Sequence, residues 1–488
     1  MLVIVLISLC VILFIIKYKT TNYNFWKKRK VLQIDDLIWT FLFEKRSMSE
    51  ICRTLYNKYD TPYIGTSMGS TPTLILKNME DIQAVLAGDF KSFHSRGIQT
   101  NPKDVLADNL LFMGNYRRWK LIRTKLSPVF TSSKLKNMFY LIEKCARDFV
   151  ELIEDNIHLR QYPFNVLYTY TTASIGASVF GIDTQTRSST MDSPFLDMAW
   201  KSVKPSLKTN IQVFISNAFP KLFNLLNLKI FGEHEQFFVG VVKNVLEKRK
   251  HENERRHDFI EMCLELQNHG VMQDFTTGYE LNPTDEILAA QAFVLFIAGA
   301  DTSANALHFT LLELSNNKKV LMKLHNEIDQ VFGSYKEKLT YNDIEKLEYL
   351  DWVISESLRK YPPIGFMQRM CTKDTILPGN IKIDKDTAVI IPVFAIHRDA
   401  KYYPNPEVFD PERFSSEKDR IKFTYLPFGE GNRNCLGARF ARLQLKAALA
   451  WLLRRFTLVE QNYTPKFERS PFALRDPDAR YQLIIRDP

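Results

Sequence analysis

The chain has 488 residues, of which 45 % are hydrophobic and 25 % are charged. This composition excludes collagen-like, low-complexity and wholly disordered proteins, and the length alone suggests about three domains. The formal net charge is +10, but six of the basic residues and none of the acidic ones lie within the first thirty positions. The remaining chain is therefore close to neutral, which argues against a nucleic-acid-binding protein.

The amino terminus is predicted to be a membrane anchor. Residues 1–16 are uncharged and apolar, and basic residues follow them. As a helix this run spans ~24 Å, and the lysines that follow extend its reach by snorkelling. A cleaved signal peptide is the alternative, but no basic region precedes the run and no small-residue cleavage site follows it. We predict an anchor at 1–19, a basic juxtamembrane linker at 20–49 and a cytoplasmic main domain at 50–488.

The cysteines are spread singly along the chain. No C-x-x-C pair occurs among the six cysteines, and the nine histidines include no H-E-x-x-H motif. This spacing argues against a disulfide framework, a zinc ribbon and covalent c-type haem attachment. Unpaired thiols also fit a domain that faces the reducing cytoplasm.

Periodicity and turn residues predict a mainly α fold of the α+β type, with a minor β component. A hairpin is expected over Tyr63–Leu76, and the polar stretches Asp183–Ser193 and Gln267–Glu280 are expected to be loops. Strands are expected within Ile381–Val393. Helices are expected over Phe139–Ile157, from Thr284 to about Leu314, and over Val320–Val331, Tyr349–Lys360 and Ala438–Phe456.

Two apolar segments need separate interpretation. Ile287–Ala300 is apolar on all sides apart from Gln291, and it is too short to span a bilayer, so it is predicted to be a helix through the protein core. Phe214–Phe231 is apolar but interrupted by Pro220. Core helices joined by a loop are favoured there over a loop that enters the membrane.

The segment Phe428–Gly437 carries the strongest chemical signal, with the pattern F-x-x-G-x-R-x-C-x-G. Cys435 lies just before a predicted helix, whose dipole favours a thiolate. Gly429 and Gly437 allow the backbone to approach a flat ligand, and Arg433 supplies a nearby cation. A thiolate beside a cation suits haem iron, whereas a lone cysteine in an ordinary glycine loop does not explain the whole pattern.

This segment resembles the haem-binding signature of the cytochrome P450 family. Three further segments resemble motifs of that family, in its order and spacing: Ala298–Ser303 (AGADTS), Glu356–Arg359 (E-x-x-R) and Pro411–Phe414 (P-E-R-F). The resemblance covers roughly residues 50–488 and is strongest to animal microsomal members that oxidise foreign compounds, including insect detoxification enzymes. It implies a single haem-thiolate domain behind an N-terminal transmembrane helix, in place of the three domains that length suggests.

The resemblance also implies roles for individual residues. Asp301 and Thr302 are expected to deliver protons during oxygen activation, and Gly299 to leave room beside their helix. Glu356 and Arg359 share a helix face and are expected to be linked to Arg413 as a buried structural unit. Cys435 is the expected axial ligand of the iron in haem b. The other expected haem-binding residues are Phe428, Gly429, Gly437, Arg433, Trp119, Arg123, Arg369 and Arg96.

The implied reaction inserts one oxygen atom from O2 into a lipophilic small molecule, either a foreign compound or an endogenous hormone-like lipid. Electrons are expected from NADPH through NADPH–cytochrome P450 reductase, with cytochrome b5 as a further partner, at the endoplasmic reticulum membrane. Basic residues beside the cysteine could attract an acidic donor, and they are Lys418, Arg420, Lys422, Arg439 and Arg442. Apolar segments that could contact substrate are those around Phe112, Phe214–Phe231, Phe293–Ala300, Ile364–Gln368 and Pro471–Leu474.

Two alternatives and two departures accompany this hypothesis. A non-enzymatic membrane haem protein that senses or carries a gas would share the cysteine loop, and a third class would rearrange peroxides without a reductase. Phe25–Asp36 contains neither proline nor glycine, whereas microsomal relatives usually carry a hinge rich in both. Asn432 replaces the proline that is common before the signature arginine, which should alter loop stiffness more than chemistry.

Overall fold

The computed structural model describes residues 24–161, 163–182, 220–252, 257–333, 337–416 and 421–486, together with residue 22 and a few positions between 197 and 216. The predicted anchor, the predicted loop Asp183–Ser193, and the basic residues Lys418 and Arg420 lie outside this part of the chain.

Helices dominate the described residues, as predicted, and short strands make up the minor β component. The helices are α1 Leu37–Phe43, α2 Met48–Lys58, α3 Met79–Gln83, α4 Phe90–Phe93, α5 Tyr116–Leu126, α6 Ser132–Asp155, α7 Pro163–Phe180, α8 Pro220–Leu225, α9 Gly232–Lys250, α10 Phe259–Asn268, α11 Asp285–Asn316, α12 Lys318–Phe332, α13 Tyr341–Glu345, α14 Glu348–Lys360, α15 Val393–Ile396 and α16 Ala438–Arg455. The strands are β1 Tyr63–Met68, β2 Thr71–Leu76, β3 Met272–Asp274, β4 Tyr279–Leu281, β5 Met367–Met370, β6 Thr375–Ile376, β7 Lys382–Ile383, β8 Ala388–Ile391, β9 Phe456–Leu458 and β10 Leu483–Ile485.

Helix α11 runs through the core. Thr284 caps it by accepting a hydrogen bond from the N–H of Ile287 (3.4 Å), and Asp285 and Glu286 lie in its first turn, where acidic side chains suit the helix dipole. Among the described residues, α11 alone is long and apolar enough to cross a membrane, but 67 % of its most apolar window is buried inside the protein. The prediction of a core helix is therefore confirmed.

The main sheet has the strand order β1-β2-β8-β5. Strands β1 and β2 form the predicted antiparallel hairpin, β2 pairs in parallel with β8, and β5 pairs antiparallel with β8. The sheet therefore joins an early part of the chain to the segment that follows α14. Strand β5 of this sheet carries Arg369, which lies near the loop around Cys435.

The prediction of a loop over Gln267–Glu280 is wrong in part. Helix α10 extends to Asn268, and β3 and β4 form a short antiparallel hairpin. Polar residues are compatible with these strands because the hairpin lies on the surface, where Lys120 of α5 forms an ion pair with Asp274 (3.3 Å). Strands of three residues are too short to produce a recognisable alternation in the sequence.

The predicted linker packs on the folded domain from residue 24 onward. The Trp26 side chain is only 1 % exposed, and its indole N–H donates to the carbonyl of Thr66 (2.8 Å). Gly65 makes room for it, since a Cβ there would lie 2.3 Å from the Trp26 ring. Leu37 is fully buried as well. The folded part of the chain therefore begins well before residue 50.

The apolar run Phe214–Phe231 is described mainly from residue 220. A short helix, α8, begins at Pro220, a position where a helix tolerates proline. Phe223 and Phe231 are buried, whereas Leu225 is 81 % exposed. This part of the run is thus half core and half surface, and it matches neither predicted alternative completely.

Candidate functional site

The loop around Cys435 has a fixed backbone geometry. The N–H of Cys435 donates to the carbonyl of Phe428 (2.8 Å), which closes the loop just before α16. Gly429 and Gly431 have φ values of +68° and +73°, a conformation that favours glycine. A Cβ at Gly431 would also lie 2.0 Å from the carbonyl oxygen of Leu86, so no larger residue fits there.

The Cys435 side chain is both exposed and surrounded by protein atoms. The residue is accessible to solvent, and yet burial among protein atoms is the main cause that raises the pKa of its thiol. Both observations hold if the thiol faces a cavity inside the protein. The N–H of Gly437 and the charges of Arg123 and Arg96 oppose this rise in pKa. The predicted preference for a thiolate is therefore wrong for the protein without a ligand, because desolvation outweighs the dipole.

Four buried or half-buried arginines surround this loop, and we call them the cysteine-loop arginines: Arg96, Arg123, Arg369 and Arg433. Their hydrogen bonds are mainly to carbonyl oxygens. Arg433 donates to the carbonyls of His94 (2.8 Å), Leu110 (3.0 Å) and Met113 (2.7 Å), and Arg96 donates to those of Leu111 (3.1 Å) and Arg433 (3.0 Å). Within the described ranges, none of the four has an acidic partner.

The cysteine-loop arginines are electrostatically unsatisfied. Burial, and then repulsion from Arg96, Arg369 and Arg123, lowers the pKa of Arg433 to about 8. Burial and the charge of Arg96 lower the pKa of Arg369 to about 9, and its Nε has no hydrogen-bond partner among the described atoms. Burying clustered cations without counter-charges costs free energy of folding. This arrangement therefore fits an anionic ligand with more than one carboxylate, such as haem with its two propionates.

Helix α5 brings Trp119 and Arg123 to the same loop. The Arg433 guanidinium lies over the Trp119 ring, 4.3 Å from its centroid, in a cation–π contact. Arg123 donates to the carbonyl oxygen (3.1 Å) and to Oδ1 (2.7 Å) of Asn434, the residue before the cysteine. Both residues of the W-x-x-x-R pattern therefore touch residues of the cysteine loop.

Phe428 and Gly437 lie at the two ends of the loop. The Phe428 ring packs at the edge of the main core, with the Arg442 guanidinium 5.6 Å from its centroid. A Cβ at Gly437 would meet no neighbour closer than Phe130, at 3.9 Å. Contacts within the protein therefore do not require glycine at position 437.

The AGADTS segment lies in the middle of α11. Thr302 Oγ1 donates to the carbonyl of Ala298 (2.6 Å), and Ala298 is exposed although the surrounding helix is buried, so this side of α11 faces open space. The prediction that Gly299 leaves room beside the helix is wrong, because Ile175 of α7 occupies that room. A Cβ at Gly299 would lie 2.8 Å from Ile175 Cδ1. Glycine here permits close packing of the two helices.

Asp301 is buried and ion-paired, which the sequence did not reveal. Its Oδ2 accepts a hydrogen bond from Arg475 Nη2 (2.7 Å), and Arg475 Nη1 lies 3.5 Å from Glu468 Oε1. Arg475 is separated from Asp301 by 174 residues, and no motif or periodicity marked it.

Glu356, Arg359 and Arg413 come together as predicted. Arg359 donates from Nε to Glu356 Oε2 (2.7 Å) and from Nη2 to Oε1 (2.8 Å), and both side chains are fully buried. Arg413 Nε lies 3.4 Å from Glu356 Oε1.

His397, which the sequence analysis missed, connects this unit to the cysteine loop. Its Nδ1 donates to the carbonyl of Arg359 (3.0 Å), and its Nε2 accepts from the N–H of Leu426 (2.8 Å).

Several segments proposed for substrate contact meet in the structure. The ring of Phe231 lies 5.3 Å from that of Phe112 and 5.1 Å from that of Phe293, measured between centroids. Ile364 forms an isolated β-bridge with Ala473. Two aromatic or apolar groups are thus assembled from segments far apart in the chain.

The basic residues near the loop differ in their availability. Lys422 and Arg439 are exposed. Arg442 instead donates to Asp351 Oδ1 (2.9 Å) and to Ser355 Oγ (3.1 Å), so its charge has an internal partner.

Comparison with known proteins places these features in a family. Residues 36–484 match the family described as Cytochrome P450. The chain is 33 % identical to cytochrome P450 6B7 of Helicoverpa armigera, covering 92 % of this chain and 91 % of the relative. It is 34 % identical to cytochrome P450 6A1 of Musca domestica (91 % and 90 %) and 32 % identical to cytochrome P450 6k1 of Blattella germanica (92 % and 90 %). The chain therefore belongs to the cytochrome P450 family.

Proposed function

We propose that this protein is a haem-thiolate monooxygenase that inserts one atom of O2 into a lipophilic small molecule, with electrons from NADPH delivered by a reductase. Family membership implies haem, a redox partner and an oxygen-incorporating oxidoreductase. The observation that carries the proposal is the Cys435 thiol, which is exposed although protein atoms surround it, and which lies beside four arginines that have no acidic partner among the described residues.

The residues around the cavity fit haem. Cys435 Sγ would hold the iron, and the cysteine-loop arginines with Trp119 would hold the propionates. Phe428, Gly429 and Gly437 would contribute to the surface that contacts the macrocycle. When bound, haem with a thiolate ligand supplies the chemistry that activates dioxygen. Glu356, Arg359 and Arg413 would fix the loop through the His397 connection.

Asp301 and Thr302 are proposed to move protons on the other side of the cavity. After taking up a proton from solvent water, the Asp301 carboxyl group would donate it to Thr302 Oγ1, whose own hydrogen bond to Ala298 can be exchanged for one directed into the open space. Buried acids are suited to this task because their surroundings exclude bulk water. Asp301 is held in place by Arg475.

The proposed substrate is a foreign compound or a hormone-like lipid, because the assembled groups around Phe231 and Ile364 are aromatic or apolar. We also propose an anchor at 1–19 in the endoplasmic reticulum membrane, with the folded domain, which already includes Trp26 and Leu37, on the cytoplasmic side. NADPH–cytochrome P450 reductase is the proposed donor, with cytochrome b5 as a further partner. The gas-sensing or gas-carrying alternative is not favoured, since the matching family is one of oxygen-incorporating enzymes.

The test is the absorption spectrum of the reduced, carbon-monoxide-bound protein, followed by turnover with reductase and NADPH. We expect a strongly red-shifted Soret band, which reports thiolate ligation, in the wild type. Cys435→Ala should lose the band and the turnover. Cys371→Ala, which removes another buried thiol, should keep both. A red-shifted band that persists in Cys435→Ala would overturn the proposal.

A further inference from the structure

The aspartate proposed to deliver protons shares its arginine with a second acid. Arg475 Nη2 lies 2.7 Å from Asp301 Oδ2, and Arg475 Nη1 lies 3.5 Å from Glu468 Oε1. The side chains become more exposed along this series, from 11 % for Asp301 through 13 % for Arg475 to 31 % for Glu468. Two carboxylates thus compete for one largely buried guanidinium.

The loop that carries Arg475 has a firmly held backbone. Asp476 is buried and accepts hydrogen bonds from the Tyr463 hydroxyl (2.9 Å), the N–H of Lys466 (2.6 Å) and the N–H of Ala479 (3.1 Å). Its carbonyl is hydrogen-bonded to Nε2 of His308 on α11 (2.9 Å). Any change in the partner of Arg475 is therefore a movement of side chains and not of the loop.

A further contact fixes the acid on the same loop. The N–H of Glu468 donates to the carbonyl of Arg475 (2.8 Å), so the two residues keep their spacing whatever Asp301 does. Removing the anion from a largely buried arginine is costly unless another anion replaces it. Glu468 is placed to be that replacement.

We propose that Glu468 is the exchange partner that lets Arg475 release Asp301. Once the Asp301 carboxylate has taken up a proton from solvent water, it turns towards Thr302, passes that proton to Thr302 Oγ1 and becomes a carboxylate again, while Arg475 keeps a counter-ion by moving fully onto Glu468. Glu468 and Arg475 are positioning residues in this scheme, since they act through Asp301. The inference rests on the proposed monooxygenase function and adds to it a residue pair outside the family motifs.

A thermal-unfolding cycle tests the exchange without any turnover. In the wild-type background, Asp301→Asn leaves Arg475 with Glu468, so the midpoint should fall little. In a Glu468→Gln background, the same change removes the second of the two ion pairs that Arg475 makes with Asp301 and Glu468. The double variant should therefore lose at least about 2 °C more than the sum of the single losses. Asp478→Asn, which removes an exposed acid near Glu468 and leaves the ion pairs of Arg475 with Asp301 and Glu468 in place, is the matched control and should combine additively with Asp301→Asn.

Turnover gives the second readout. Glu468→Gln should hold Asp301 on Arg475, so product formed per NADPH should fall by about fivefold. Peroxide release and the solvent isotope effect on product formation should both rise. Glu468→Asp should restore most of the product yield, and Asp478→Asn should leave it unchanged. A merely structural role for Glu468 would lower stability without changing the isotope effect.

The failures of the two proposals can be told apart. If the wild type lacks the red-shifted carbon-monoxide band, the monooxygenase function is wrong, and the thermal cycle still decides whether Glu468 replaces Asp301. If the wild type shows the band and turns over, additive thermal losses together with unchanged coupling in Glu468→Gln would overturn the exchange alone.

Discussion

Two buried groups of arginines in this protein differ in what neutralises them. On and beside α14, Arg359 makes two hydrogen bonds to Glu356, and Arg413 approaches the same carboxylate. Around Cys435, the hydrogen bonds of Arg369 and Arg433 to described residues go to carbonyl oxygens, and burial and repulsion from neighbouring arginines lower their pKa values. The first group has its carboxylate partner, whereas the second has none among the residues that the structure describes.

This difference distinguishes buried arginines with a structural role from buried arginines with a ligand-binding role. A buried cation with its carboxylate contributes to the fold, and the removal of one partner strands the other. A buried cation without a carboxylate destabilises the protein until an anionic ligand binds beside it and offsets that cost. The same residue type should therefore respond in opposite ways to substitution in the two groups, which the following experiments examine.

The largest effect is expected from Glu356→Gln. The change leaves the fully buried guanidinium of Arg359 without its anion, at a cost of ~3–5 kcal/mol in the free energy of unfolding. Thermal or denaturant unfolding of the purified protein measures this loss, and a sharp drop in soluble yield would accompany it.

The matched control for that experiment is Glu412→Gln in the neighbouring P-E-R-F segment. Glu412 forms its ion pair with Lys323, and both side chains are more than half exposed, so the pair is worth about 0–1 kcal/mol. Equal destabilisation by Glu356→Gln and Glu412→Gln would show that the α14 group is not the buried structural unit described here.

A smaller and opposite effect is expected from Arg369→Met. This change removes a buried charge that donates to the adjacent carbonyl of Gln368 and has no acidic partner among the described residues, so the variant without haem should be as stable as the wild type without haem, or more stable. Haem retention should fall about 10- to 100-fold, because a charge-assisted hydrogen bond of ~1.5–3 kcal/mol is lost. Transfer of haem to an acceptor apoprotein measures the retention.

Arg117→Met on the exposed surface of α5 serves as the control for Arg369→Met and should change neither quantity. If Arg369→Met destabilised the unliganded protein as strongly as a broken pair on α14, the proposed contrast between the two groups would be wrong.

The sequence predicted the helices, strands and motifs that carry both groups, but not the long-range contacts that these residues make. Local periodicity and capping residues are short-range signals, so the hairpin, α11, α12, α14 and α16 were found near their true positions. Family motifs brought Glu356, Arg359 and Cys435 into the hypothesis. No local signal marks Arg475, which meets Asp301 across 174 residues, because that contact depends on how the carboxyl-terminal loop packs against α11.

Two further predictions differ from the structure because the sequence analysis did not account for burial. Trp26 lies among lysines, so a linker was expected there, yet a single large side chain fills the space over Gly65 and fixes the segment to the sheet. The helix dipole at Cys435 was expected to favour a thiolate, yet desolvation dominates in the unliganded protein. Both effects depend on which atoms surround a side chain after folding, and a linear pattern does not contain that information.

The smallest effect concerns His397, which connects the two groups. The neutral ring satisfies both of its contacts, since Nδ1 donates to Arg359 and Nε2 accepts from the N–H of Leu426. Burial and the charge of Arg359 lower the pKa of His397 from 6.5 to about 3. Between these values the unfolded chain binds a proton that the folded protein does not, so stability falls as the pH falls through this window, by at most ~1.4 kcal/mol per pH unit.

His397→Gln should reduce this acid sensitivity, because an amide can donate to Arg359 and accept from Leu426 without titrating. The free energy of unfolding, measured from pH 7 to 4.5, should decline less steeply in the variant than in the wild type. Buried His308 and His325, whose pKa values are also lowered to about 4, leave a residual slope in both proteins. His158→Gln, a change at an exposed residue, is the control. An unchanged slope in His397→Gln would mean that the connection between α14 and the cysteine loop does not depend on the neutral ring.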